Sequence, residues 1–108
     1  MQTGYILLVP FPFAKLTKRK VRPSVLICRI KGKYSDLVIA AISSVVPEGL
    51  TDYEMLLQPT AKNGLRKTSV VKIDRIVTMR SSDLIAHIGE LDDTDLVLFK
   101  QKFKELVD

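Results

Sequence analysis

Five of the eight residues from 15 to 22 are basic: Lys15, Lys18, Arg19, Lys20 and Arg22. Arg22 stands directly before Pro23, and a residue before proline is held extended rather than helical. A guanidinium presented this way can fork onto two phosphate oxygens. The plainer alternative is a surface arginine that closes a hairpin, but the crowding of positive charge favours a polyanion. Lys15, Lys18, Arg19 and Lys20 suit steering and holding that polyanion rather than reacting with it. Ser43 and Ser44 stand where an apolar run meets a loop. Their hydroxyls can donate to a phosphate oxygen or a base edge, or can simply satisfy the turn's own backbone. Lys72 and Asp74 are two apart in a segment with strand character, so they project from one face. A cation beside a carboxylate can serve acid–base proton transfer, although an ion pair on an exposed face is the commoner result of that spacing.

Other chemistries find little support. His87 is the single histidine and reads as a surface or packing residue. No Cys, His and Asp residues recur at metal-ligand spacing, so neither a metal nor a cofactor is expected. Gly-rich phosphate loops are absent. The chain has no tryptophan and no aromatic-rich signature of the RNP kind.

Charge is unevenly spread along the chain. Up to Arg80 there are 14 lysines and arginines against 5 acidic residues, and beyond it 3 against 7. One face that attracts polyanions is the functional reading; a solvated basic surface is the plain one.

These side chains must be held by short strands. At 108 residues, 46% hydrophobic and 27% charged, the chain is expected to form a single domain, 1–108, with one core. Residues 5–11 are apolar at both alternations, as in a strand buried on both sides. Pro10 and Pro12 belong at its end, at a bulge or on an edge, because they lack an N–H, and Gly4 permits a tight entry. Residues 21–30 form a second strand, with Ser24, Leu26, Cys28 and Ile30 on one face and Val25 and Ile27 on the other. Cys28 reads as a buried small side chain. Further strands are expected at 37–43, 53–57, 68–72 and 73–79 (the last two as one strand or a pair), with a short one at 87–90.

The C-terminal segment differs in period. Leu96, Phe99, Phe103 and Leu106 recur at steps of three and four, the mark of a helix with one buried stripe. Asp92, Asp93 and Asp95 at its start and Lys100, Lys102 and Lys104 later match the helix dipole. The expected fold is therefore mainly β with a C-terminal helix, a small antiparallel barrel. No apolar run is long enough to span a bilayer and no secretory leader is evident, so a cytoplasmic protein is expected.

The pieces, in this order, resemble the MazF/PemK family of toxins. The matching stretches are Gly4 with residues 6–13 (ILLVPFPF), then 21–27 (VRPSVLI), 38–44 (VIAAISS), 68–78 (TSVVKIDRIVT) and 88–91 (IGEL). The resemblance implies an SH3-like barrel of the CcdB/MazF/PemK type, a homodimer, and RNA lying in a groove near the dimer interface. It implies sequence-specific, metal-independent cleavage of single-stranded RNA, at short sequences, to a 2′,3′-cyclic phosphate and a 5′-OH, and a cognate antitoxin as partner. It gives Arg22 the place of the catalytic arginine and Ser43 that of a catalytic hydroxyl, usually threonine. Lys72 and Asp74 fall at a basic and an acidic position that some members use in catalysis, and Ser44 and Thr68 count among the RNA contacts. The chain departs from the family pattern in four ways. Tyr5 replaces an acidic residue, the loop before Arg22 is short and glycine-free, Ser43 replaces threonine and Lys72 replaces arginine. Two other functions stay open: a non-catalytic RNA-binding barrel, and a gyrase poison of the CcdB kind, which the missing tryptophan disfavours.

Overall fold

The computed structural model describes residues 1–11 and 20–108. The cationic side chains of Lys15, Lys18 and Arg19 lie outside the described residues. Six strands and one helix follow in chain order: β1 (Tyr5–Phe11), β2 (Lys20–Ile30), β3 (Asp36–Ser43), β4 (Glu54–Leu57), β5 (Ser69–Arg80), β6 (Ala86–Glu90) and α1 (Asp93–Leu106). A single 3₁₀ turn at Ser81–Asp83 links β5 to β6. The strands form one curled sheet in the order β4-β5-β3-β2-β1-β6, with every neighbouring pair antiparallel. This is the mainly β architecture with a C-terminal helix that the periodicities predict.

Apolar residues at both alternations have two cores to fill. One face carries Ile6, Val25, Ile27, Ala40, Ile42, Met55, Leu57, Val71 and Ile73, and meets Phe99 of α1. Leu96, Phe103 and Leu106, the other members of the helical stripe, pack against the same cluster. The opposite face carries Leu7, Val9, Phe11, Leu26, Leu37, Ile39 and Ala41. Phe99 is the one residue of α1 that is almost wholly buried. At the helix start the Asp92 side chain accepts from the Asp95 N–H at 2.8 Å, as an N-cap. Gly4 ties that start to the sheet: its N–H donates to the Leu26 carbonyl, and its own carbonyl accepts from Leu91. Its φ of +95° and the Leu96 side chain, where a Cβ would stand, leave room for glycine alone.

Three register shifts curl the sheet, between Ile6 and Leu7, Leu26 and Cys28, and Ala40 and Ala41. The second corrects the expected face assignment of β2. Leu26 pairs with Ile39, but Cys28 pairs with Val38, so alternation breaks at Ile27 and Cys28 no longer follows Ser24 and Leu26. Cys28 is exposed, not the buried small side chain that its neighbours suggested. The third shift resolves the segment expected as one strand or two. β5 is continuous, but Ala40 pairs with Ile76 and Ala41 with Lys72, leaving 73–75 without partners on β3. Ile73 is held from the other side, donating to the Tyr53 carbonyl at 2.8 Å.

The prolines sit where a donor is dispensable. The Leu8 carbonyl accepts from Ile85, so Leu8 turns its backbone polar groups toward the β6 side. Pro10, two residues on, turns the same way, past Ala86, the last β6 residue paired with β1. Pro23 pairs with Leu8, and by antiparallel alternation its nitrogen faces β3. The β2–β3 ladder accordingly begins only at Ser24 and Ala41.

Candidate functional site

Arg22 enters on β2 opposite Val9, half-buried. The register of Ser24 with Ala41, carried two residues further, sets Arg22 level with Ser43 at the end of β3. By alternation both belong to the face of Val9, Leu26 and Ala41. Arg22 and Ser43 thus fall level with one another on neighbouring strands, two residues past the point where the β2–β3 ladder ends at Ser24 and Ala41. The Ser43 Oγ accepts from the Val45 N–H at 3.1 Å. That bond orients the hydroxyl and leaves its proton for donation.

Lys72 lies one row further in, paired with Ala41 on one side and Glu54 on the other. Its ammonium stands 3.8 Å from the Glu54 carboxylate. Glu54 also accepts from the Thr51 N–H at 2.9 Å, and that bond, with the Thr51 side chain and Lys72, holds its carboxyl below the ordinary value. The carboxylate beside Lys72 is therefore Glu54, not Asp74. Asp74 is exposed, within the stretch of β5 that has no partner on β3. It lies two strands over from Arg22 and further along the sheet, so one chain does not bring these two together.

Ser44 and Pro23, the immediate neighbours of Ser43 and Arg22, line a cavity of about 340 Å³. Its other walls are Leu8, Ile88 and the β4–β5 connection through Gly64, Leu65, Arg66, Lys67 and Ser69. That connection is fixed by Asn63, which is buried. The Asn63 amide oxygen accepts from the Thr60 and Leu65 N–H groups, both at 3.0 Å, and its amide nitrogen donates to the Gln58 carbonyl at 2.8 Å. Gly64, at φ +70°, lies against the Ile88 carbonyl, and Gly89 lies against Lys62 and Asn63 with no space for a Cβ. Thr68 donates to Gln58 at 2.7 Å on the exposed side of the same loop. Lys20 is exposed at the start of β2.

His87 stacks on Tyr5, ring centroids 4.1 Å apart, with its Nε2 at 2.8 Å from the Gly89 carbonyl. That is the packing role expected of it. Among the described residues, no group of three or more His, Cys, Asp or Glu is gathered as a metal site, and no helix is long and apolar enough to cross a membrane.

Sequence reasoning missed Glu54, Asn63, Arg66 and Lys67. The last three had a signal: a turn-forming Asn-Gly pair followed within three residues by two cations. Glu54 had none, because its link to Lys72 depends on a strand register.

Residues 2–107 match the family model described as PemK-like, MazF-like toxin of type II toxin–antitoxin systems. Among solved structures, the chain is similar to the Mycobacterium tuberculosis toxin MazF-mt6, with a TM-score of 0.75, 23% identity and 96% of each chain covered. It is also similar to an endoribonuclease solved in complex with its cognate antitoxin from a mycobacterial species. There the TM-score is 0.74 and the identity 13%, over 99% of this chain and 94% of that one. A third similar structure, a toxin of the same bacterium as the first, gives a TM-score of 0.67 at 22% identity, over 93% and 97%. No curated protein matches the chain in sequence.

Proposed function

Because this chain belongs to the PemK-like, MazF-like toxin family of type II toxin–antitoxin systems, we propose that it is the toxin of such a pair, a cytoplasmic endoribonuclease that cuts single-stranded RNA. What supports the reading most is the register that sets Arg22 on β2 level with Ser43 at the end of β3, just past the end of their shared ladder.

In the proposed reaction the ribose 2′-oxygen attacks the adjacent phosphorus and the P–O5′ bond breaks. The products are a 2′,3′-cyclic phosphate and a free 5′-OH. The 2′-hydroxyl proton passes to a base, and the departing O5′ takes one up from the Lys72 ammonium or from water. Negative charge builds on the non-bridging oxygens, where fixed donors are worth most. Arg22 and the Ser43 hydroxyl supply such donors. Arg22 is unsuited to be the base, since a guanidinium stays protonated. Asp74 is the carboxylate assigned to that role, and its distance from Arg22 within one chain requires a second copy of the chain to supply it. A homodimer is therefore part of the proposal. An antitoxin partner is supported by the mycobacterial complex among the similar structures.

The test is cleavage of mixed RNA in excess chelator, with the new ends mapped. Arg22→Ala is expected to lower kcat by about 10²–10³-fold, the effect of removing one oxyanion donor, with its circular dichroism unchanged. Purified protein that binds RNA but never cuts it would hand the reading to the non-catalytic RNA-binding barrel.

A further inference from the structure

The cavity behind Arg22 and Ser43 has a composition that the cleavage step does not call for. Resting on the reading above, we infer that it is a one-nucleotide subsite: it takes the base of a nucleotide flanking the scissile phosphate, while Arg66 and Lys67 hold the neighbouring phosphate.

Three observations converge on this ligand. First, the cavity of about 340 Å³ lies at the small end of the roughly 300–1,000 Å³ range of ligand pockets, room for a single nucleotide. Second, its walls divide by chemistry. Leu8, Pro23, Leu65 and Ile88 offer apolar surface for the flat face of a base, and Ser44 and Ser69 offer hydroxyls for its edge. Ser69 donates its proton to the Lys67 carbonyl at 2.9 Å, so toward a ligand it acts as an acceptor. Third, Arg66 and Lys67 also line the cavity. Both are exposed, and neither joins an ion pair among the described residues. The backbone that carries them is pinned from below by Asn63 and by Gly64 against β6. An apolar slot with two unneutralised cations on a fixed rim matches a base joined to a phosphate, and matches neither alone.

Placement ties the subsite to the chemistry. Arg22 and Pro23, adjacent within β2, face opposite sides of the sheet, and Pro23 and Ser44, the chain neighbours of Arg22 and Ser43, line the cavity. A chain of RNA crossing the end of the sheet can meet both Arg22 and the cavity.

The test is a double-mutant cycle in which one member of each pair is the RNA. An abasic position is walked through an oligonucleotide that the wild-type protein cuts, and kcat/KM is measured with the wild type and with Ser44→Phe, which fills the mouth of the cavity. At one position beside the cut, base removal is expected to cost the wild type at least about tenfold and Ser44→Phe almost nothing further, in line with a coupling on the order of 1 kcal/mol or more. Independently, Arg66→Ala with Lys67→Ala is expected to reduce the slope of log affinity against log salt by about 0.7 for each cation removed, as for phosphates of a single strand. Equal penalties in both proteins at every position, or an unchanged salt slope, would overturn the subsite while the nuclease reading stands. A wild-type protein that neither cuts nor binds RNA would remove the nuclease reading itself, and the subsite with it.

Discussion

Glu54 shows how a single residue acts through its partners. The Thr51 N–H donates to its carboxylate and Lys72 stands 3.8 Å away. Both favour the charged form, and its carboxyl titrates below the ordinary value. A lowered folded-state value means that the contribution to stability is complete above the unfolded-state value and is lost as pH falls through the folded one. Glu54→Gln is therefore expected to unfold at lower urea than the wild type at neutral pH, with the gap closing on acidification. Asp95 runs the other way: burial first, and the Asp92 charge second, push its carboxyl up. Its charged form is disfavoured in the fold, so acidification relieves a cost there, and it does so equally in both proteins. Urea midpoints measured from neutral to acid isolate the Glu54 part by difference. The places of Arg22 near the start of β2 and Ser43 at the end of β3 were legible in the sequence because their surroundings, a residue before proline and an apolar run meeting a loop, are themselves local. The Lys72–Glu54 pair was not, because those residues meet only through the β4–β5 register.

At the level of elements, local pattern predicted every strand and the helix to within a residue or two. What it did not contain were the shifts at Leu26/Cys28 and Ala40/Ala41, which arise from pairing between strands. These exposed Cys28 and left Asp74 in the stretch of β5 that has no partner on β3. The β4–β5 connection was also under-read, since its Asn63-Gly64 pair looks like an ordinary turn. In the fold it is the clamp that fixes Arg66 and Lys67. Gly64 has φ +70° and a Cβ there would collide with the Ile88 carbonyl. Gly64→Ala is expected to cost at least about 2 kcal/mol, from a strained backbone conformation and the collision together. Chemical denaturation monitored by circular dichroism would measure it.

The whole molecule leaves apolar side chains in water along one stretch. Val45, Val46, Leu50, Tyr53 and Leu56 are all exposed, Val45 to 78%, and the proposed homodimer would have apolar surface there to cover. Sedimentation equilibrium at micromolar concentration is expected to return twice the chain mass of 12.1 kDa, with Val45→Asp shifting the protein toward the single-chain mass. A wild type that sediments only as the single chain would leave Asp74 without a route to Arg22. The charge imbalance along the sequence and the small antiparallel β fold with its C-terminal helix were both readable in advance; the cavity was not, because its walls come from five separate segments. Pro23 deserves a last consequence. A zipper that lacks one tooth stops where the tooth is missing, and the strands beyond it are free to part. Here the missing amide leaves β2 and β3 unlaced from each other beyond Pro23, while β2 stays paired with β1 through Arg22 and β3 with β5 through Ser43. Access for a polymer is in this way written into the backbone itself, and any residue bearing an N–H at that position would allow the seam to be drawn closed.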